Sequence, residues 1–206
     1  MKSWLGIHLA SAVLVNSMRW RPLVIFLALV TLAGGGIMFF RTKQGDNPKL
    51  IYFDMELTSP AFKYNESIPV KFTCDGQNIS PPLQFSGIPV EAKSLALLMW
   101  DPDVPRTIRL DGNWDHWVVF NMPASTKGIE EGATPDGIVG VNTRGVAEYG
   151  GPCPPDSEHR YFFRLFALDQ ALDLDGQKIR EEVQTAMRGH IIAEAELMGR
   201  YFRRQE

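Results

Sequence analysis

The chain of 206 residues holds only two cysteines, Cys74 and Cys153, too few for a disulfide-dense scaffold or a four-cysteine zinc site. Acidic residues are missing altogether from residues 1–44, which carry five cations (Lys2, Arg19, Arg21, Arg41 and Lys43). From Gly45 onward sixteen cations face all twenty-four acids, a net charge of −8. That balance argues against a general nucleic-acid binder, which needs a basic face to neutralise phosphates. The familiar catalytic signatures are also lacking: no G-x-S-x-G elbow, Walker loop, G-x-G-x-x-G turn, H-E-x-x-H or C-x-x-C is found. No nucleotide, haem or other cofactor is therefore expected, and no repeat of 20–50 residues suggests a solenoid.

One long uncharged run is present. Leu23–Phe40 (LVIFLALVTLAGGGIMFF) has Thr31 as its only hydroxyl. As a helix rising about 1.5 Å per residue it spans about 27 Å, close to the hydrocarbon thickness of a bilayer. Trp20 and Phe39–Phe40 stand where interfacial aromatics belong, and Arg19, Arg21, Arg41 and Lys43 bracket the run. An uncleaved anchor is the expectation. A cleaved signal is the rival, because Ala33-Gly34-Gly35 offers small residues to a peptidase, although the apolar run continues to Phe40. Met18 opens a basic stretch leading straight into the run and offers a second start; the pattern favours the N-terminus inside and the domain outside. The organisation read here is a basic segment (1–22), an anchor or signal (23–40), a polar linker (41–50) and a single domain (51–206).

Within the domain, Ile68–Phe72 (IPVKF) alternates with period two and predicts a half-buried strand. Ser94–Trp100 (SLALLMW) and Trp117–Met122 (WVVFNM) are unbroken apolar runs of strand length, predicting sheet buried on both faces. Arg160–Asp169 (RYFFRLFALD) predicts the longest strand, with Tyr161, Phe163, Leu165 and Ala167 on one face and Arg164 interrupting the other. Lys178–Met187 has helical spacing and ends before Gly189. Ile191–Phe202, rich in Ala, Glu, Leu and Met, predicts a second helix. The fold class is mainly β, closed by one or two C-terminal helices.

The chemistry-bearing residues cluster at the predicted strand ends: Asp101-Pro102-Asp103-Val104-Pro105, His116, Gly150-Gly151-Pro152-Cys153-Pro154-Pro155 and His159-Arg160-Tyr161. Asp-Pro-Asp read alone is a turn, and a histidine beside a strand is commonly structural. Together with FTCDGQNISPPLQF (Phe72–Phe85), DHWVVFNMP (Asp115–Pro123) and GHIIAEAELMGRY (Gly189–Tyr201), in this order, the domain resembles the phosphatidylethanolamine-binding protein family, in its bacterial, Raf-kinase-inhibitor-like (YbhB/YbcL-type) branch. The resemblance runs from about Met55 to Tyr201.

It implies a β-sandwich-like fold, with a large antiparallel sheet beside a smaller one, C-terminal helices, and a cavity that takes phosphate or a phosphorylated headgroup without turnover. It places Asp101, Asp103, His116, Gly150, Gly151, Cys153, His159 and Tyr161 at that cavity and leaves His8 and His190 outside it. The chemistry fits. Histidine donates and becomes cationic near neutral pH, a carboxylate behind it fixes its tautomer, and the amides of Gly150, Gly151 and Cys153 form an anion-binding nest. Placement outside the cytoplasm permits a Cys74–Cys153 disulfide, and two free thiols are the alternative. Other readings are a hydrolase with Cys153 as nucleophile and His159 as base, and a metal site from Asp101, Asp103, His116 and His159. A protein partner modulated by the domain is left unidentified by the sequence.

The anchor reading has a direct test. After carbonate extraction the chain should stay in the membrane fraction, while protease added to spheroplasts should remove the domain. A soluble mature chain starting near Gly36 would establish the cleaved signal instead.

Overall fold

The computed structural model describes residues 55–203. Leu23–Phe40 lies outside them; among the described residues no helix is long and apolar enough to cross a membrane. Three strands form the centre: β3 (Ser94–Asp101), β4 (Trp114–Pro123) and β7 (His159–Leu168). β3 pairs antiparallel with both others, and two short or outer strands complete a five-stranded sheet in the order β6-β4-β3-β7-β8, where β6 is Ile138–Val139 and β8 is Ile191–Tyr201. A second antiparallel sheet joins β1 (Glu56–Thr58), β2 (Leu83–Ser86) and β5 (Gly128–Ile129) in the order β1-β2-β5.

The unbroken apolar runs have the expected cause: the central strands are covered on both faces. On one face Leu95, Leu97, Met99, Val119, Phe163 and Leu165 pack against Leu57, Leu83, Phe85 and Ile129 of the smaller sheet. On the other, Ala96, Leu98, Val118, Phe120 and Phe166 pack against Val183 and Met187 of the helix α1 (Arg180–Met187). Tyr161, Phe163, Leu165 and Ala167 are fully buried on a single face, as their period of two required. Arg164, on the opposite face, pairs with Glu196 and lies 5.3 Å from the Trp100 ring centre, so its charge is held at the sheet surface. The α1 helix ends as its sequence indicates, with Gly189 at φ +82°, a conformation other residues adopt only at a cost.

Two expectations are corrected. Ile191–Phe202 is not a helix. Its residues 191–201 form β8, paired with β7 from His159↔Tyr201 to Leu168↔Ile191. Helix propensities differ by only tenths of a kcal/mol per residue, and a long ladder on the free edge of β7 outweighs them. A period of two was present all along: Ala195, Leu197 and Tyr201 face the core while Glu194, Glu196 and Arg200 do not. Ile68–Phe72 is not a strand either. Ser67 makes one parallel bridge to Arg200, and Val70–Phe72 then turns as a 3-10 helix. Pro69 has no N–H to offer a ladder, which stops the pairing there.

Cys74 and Cys153, 79 positions apart in the sequence, are joined by a disulfide with Cα atoms 5.4 Å apart. In the chain-entropy account a loop of that length is worth up to about 4 kcal/mol. Urea unfolding of the chain with and without a thiol reductant should therefore show a loss of that order or less. Identical midpoints would mean that the bond constrains nothing in the unfolded chain.

Candidate functional site

Antiparallel pairing brings the end of β3 and the starts of β4 and β7 to one end of the large sheet. Asp101 pairs with Trp114, and Trp100 lies opposite Phe162, so Asp101, His116, His159 and Tyr161 converge although 60 residues of chain separate the first from the last. A cavity of about 320 Å³ opens there. Its wall includes Asp101, Asp115, His116, Arg144, Gly150 and Cys153.

Two loops close it. In the first, Asn142 Oδ1 accepts from the Arg144 and Val146 amides, and Asn142 Nδ2 donates to the Glu148 carbonyl. Thr143 ties the same loop to β4, its hydroxyl accepting from Asp115 N at 2.7 Å. The second is Tyr149–Pro155. The Tyr149 hydroxyl donates to Phe72 O at 2.8 Å, Gly151 N to Asn78 Oδ1 at 2.8 Å, and Cys74 N to Pro152 O at 3.1 Å, beside the disulfide. Gly151 is required by close approach, since a Cβ there would stand 2.5 Å from Phe72 O.

The two histidines have different environments. His159, 1% exposed, contacts Asp101 Oδ2 through Nδ1 at 2.7 Å and Asp156 Oδ1 through Nε2 at 2.8 Å. Burial works against its charge, but the two carboxylates outweigh that, and its pKa rises above the usual imidazole value. It is an imidazolium whose ring protons are both taken up. His116, 5% exposed, donates from Nδ1 to Gly150 O at 2.6 Å. Burial holds its pKa down to about 4, so it is neutral at physiological pH.

Other groups follow. Burial pushes the Asp101 carboxyl upward, while hydrogen bonds from His159 and the Asp103 amide pull it back. Burial likewise raises Asp115, which pairs with Arg180. The Tyr161 hydroxyl is fully buried and faces the Asp101 carboxylate and the Cys153 amide, with no hydrogen bond of full geometry to either. Burial first, and then the nearby Asp101 charge, keep it protonated. The Cys153 amide lies beside it, and the ring meets His116 edge-on with centres 5.2 Å apart.

The structure thus brings together Asp101, His116, Gly150, Gly151 and Cys153 at the cavity wall, with His159 buried behind Asp101 and Tyr161 buried behind His116, neither of them lining the cavity. Asp103 is turned away, its carboxylate held by Arg160 through Nε at 2.8 Å and Nη2 at 2.6 Å. The nest of amides is reduced: Gly150 N bonds His116 O and Gly151 N bonds Asn78, which leaves Cys153. Neither histidine is the free cationic donor expected. Arg144 takes that place, its nearest acidic partner being the exposed Glu148 at 3.8 Å. Asp115 was not singled out, although it stands beside His116 in the DHWVVFNMP segment, and nothing in the sequence around Arg144 marks it out. With its sulfur bonded, Cys153 has no thiolate to act as nucleophile. Among the described residues no group of three or more ligating side chains is placed for a metal ion. A wider groove of about 990 Å³ runs past Pro154–Ser157 and Tyr201–Arg203, but Asp75, Tyr201, Arg203 and Asp156 within it are already paired.

Three comparisons bear on this geometry. A model of the phosphatidylethanolamine-binding protein family matches residues 58–202. A UPF0098 protein of Chlamydia pneumoniae is 52% identical over 147 residues, covering 71% of this chain and 98% of the relative. One from Methanothermobacter thermautotrophicus is 50% identical over 155 residues, covering 72% and 99%. Among solved structures, a phosphatidylethanolamine-binding protein homologue from Chlamydia trachomatis superposes with a TM-score of 0.72 at 48% identity, covering 74% of this chain and all of its own. YbcL of E. coli gives 0.66 at 31% identity, covering 73% and 99%.

The opposite states of the two histidines can be measured. His159 gains partners on folding, so its contribution to stability is full below about pH 6.5 and is lost as pH rises through its raised folded pKa. A ring-proton NMR titration should place His159 above 6.5 and show His116 unchanged from pH 5 to 8. Asp101→Asn should lower the His159 value. A single titration near 6.5 for both rings would contradict these assignments.

Proposed function

The chain belongs to the phosphatidylethanolamine-binding protein family, and we propose that its domain is a non-enzymatic receptor for a small anion, phosphate or a phosphorylated group. The observation that carries the reading is Arg144 in the cavity wall beside Cys153, with no acidic partner nearer than the exposed Glu148 at 3.8 Å. The two carboxylates at the cavity do not forbid an anion, because each has its own cation behind it, His159 for Asp101 and Arg180 for Asp115. Arg144 supplies the remaining positive charge, and its planar fork suits an oxyanion.

The absence of a free nucleophile at Cys153 and of a metal cluster among the described residues leaves the hydrolase and metal readings without support. The apolar segment Leu23–Phe40 supports attachment to a membrane with the domain on the outer side, a short polar linker keeping the receptor near the bilayer.

Calorimetry of the full-length chain with inorganic phosphate should give a Kd between roughly millimolar and micromolar, or about 4–8 kcal/mol. Arg144→Ala should weaken it about tenfold by removing a charge-assisted bond. Asp103→Ala should change it little, since Asp103 faces Arg160. No phosphate binding by the folded chain, or loss with Asp103→Ala and not with Arg144→Ala, would overturn the reading.

A further inference from the structure

We propose that His116 makes the cavity selective for oxyanions that still carry a proton, such as phosphate and phosphomonoesters, over those with none, such as sulfate and phosphodiesters. The inference rests on the anion-receptor reading above and names the ligand class within it. The Gly150 carbonyl can only accept, so its 2.6 Å contact with His116 Nδ1 requires the proton to be on Nδ1. A neutral imidazole protonated there carries a bare lone pair on Nε2. Nε2 has no hydrogen-bond partner among the described residues, and the ring that bears it lines the cavity.

The Gly150 and Gly151 backbone favours a proton on that ring, but burial outweighs it and disfavours a second one. The ring is buried, and Arg144 and His159 are the charges close to it, both positive. From the other packed elements come Asp101, which His159 already neutralises, and Tyr161, which meets the ring by its edge. Nε2 is therefore an acceptor. Asp101 is one too: its Oδ1 takes the Asp103 amide and its Oδ2 the His159 ring, with lone pairs to spare on each. The donors in the wall are Arg144 and the Cys153 amide.

A ligand that satisfies this set must accept on one side and donate on the other. A tetrahedral monoanion with one O–H does both, giving its proton to Nε2 and its remaining oxygens to the donors. Sulfate and dimethyl phosphate can only accept, and would set an oxygen lone pair against the Nε2 lone pair. Sites built to bond a ligand hydroxyl discriminate strongly against analogues that lack it, because a buried polar group is then left unpaired.

The test is competition calorimetry on the full-length chain at about pH 5.5, where inorganic phosphate and methyl phosphate carry a proton. Sulfate matches phosphate in shape, and dimethyl phosphate matches it in charge. Phosphate and methyl phosphate should each bind at least about tenfold more tightly than either control. In His116→Gln, whose amide can turn a donor toward the cavity, the preference over sulfate should fall to within about threefold while the thermal melt stays cooperative. Phosphate-displaceable binding to vesicles containing phosphatidic acid, over phosphatidylcholine alone, would assign a lipid monoester as the source. Phosphate binding without vesicle binding would assign a free one, and both outcomes keep the selectivity. Sulfate or dimethyl phosphate binding within about threefold of phosphate to the unmodified chain would overturn the selectivity and leave the receptor intact. If no anion binds, phosphate included, both fall together.

Discussion

A buried imidazolium between two carboxylates governs the architecture of this site. Asp101 and His159 are 4% and 1% exposed, and removing either leaves an uncompensated charge in the interior. Their 2.7 Å contact joins the last residue of β3 to the first residue of β7, so strand register and pocket geometry are set together. The same bond decides the chemistry around it. With Asp156 on the second nitrogen, His159 has no proton left to offer the cavity, whose remaining donors are Arg144 and the Cys153 amide.

The central sheet was legible because unbroken apolar runs have few alternatives once their length is fixed. Eight residues such as Ser94–Asp101 are too short for a typical core helix and too apolar for a half-exposed strand. At the edge of the sheet this logic weakens. In β8, Ala, Glu, Leu and Met favour helix locally, and only the open backbone of β7, invisible in the sequence, makes the strand the better solution. Pro69 is the reverse case, a local signal for ending a strand that the alternation of Ile68–Phe72 obscured.

For the site, residue types were informative and roles were not. Asp101, His116, His159 and Tyr161 do converge, because functional groups at strand ends are gathered by the pairing itself. Whether a histidine is a cation or a neutral acceptor depends on what its nitrogens touch. Gly150 O for one and two aspartates for the other give opposite answers from the same side chain. The glycine amides show the same limit: Gly150 and Gly151 sit where a nest would put them, but their N–H groups already serve His116 O and Asn78.

For a cavity in a domain of net charge −8 to take an anion, the acids around it must be offset locally. The fold does this in pairs, Asp101 with His159, Asp103 with Arg160 and Asp115 with Arg180, each joining residues at least 57 apart. The pairs offset the charge of Asp101 and Asp115 in the cavity wall and turn Asp103 away from it. The Tyr149–Pro155 loop combines three prolines, a disulfide and three hydrogen bonds to the Phe72–Asn78 turn. A loop so restrained loses little freedom on binding, and a small ligand with few atoms to contact benefits most from a wall that does not have to be ordered.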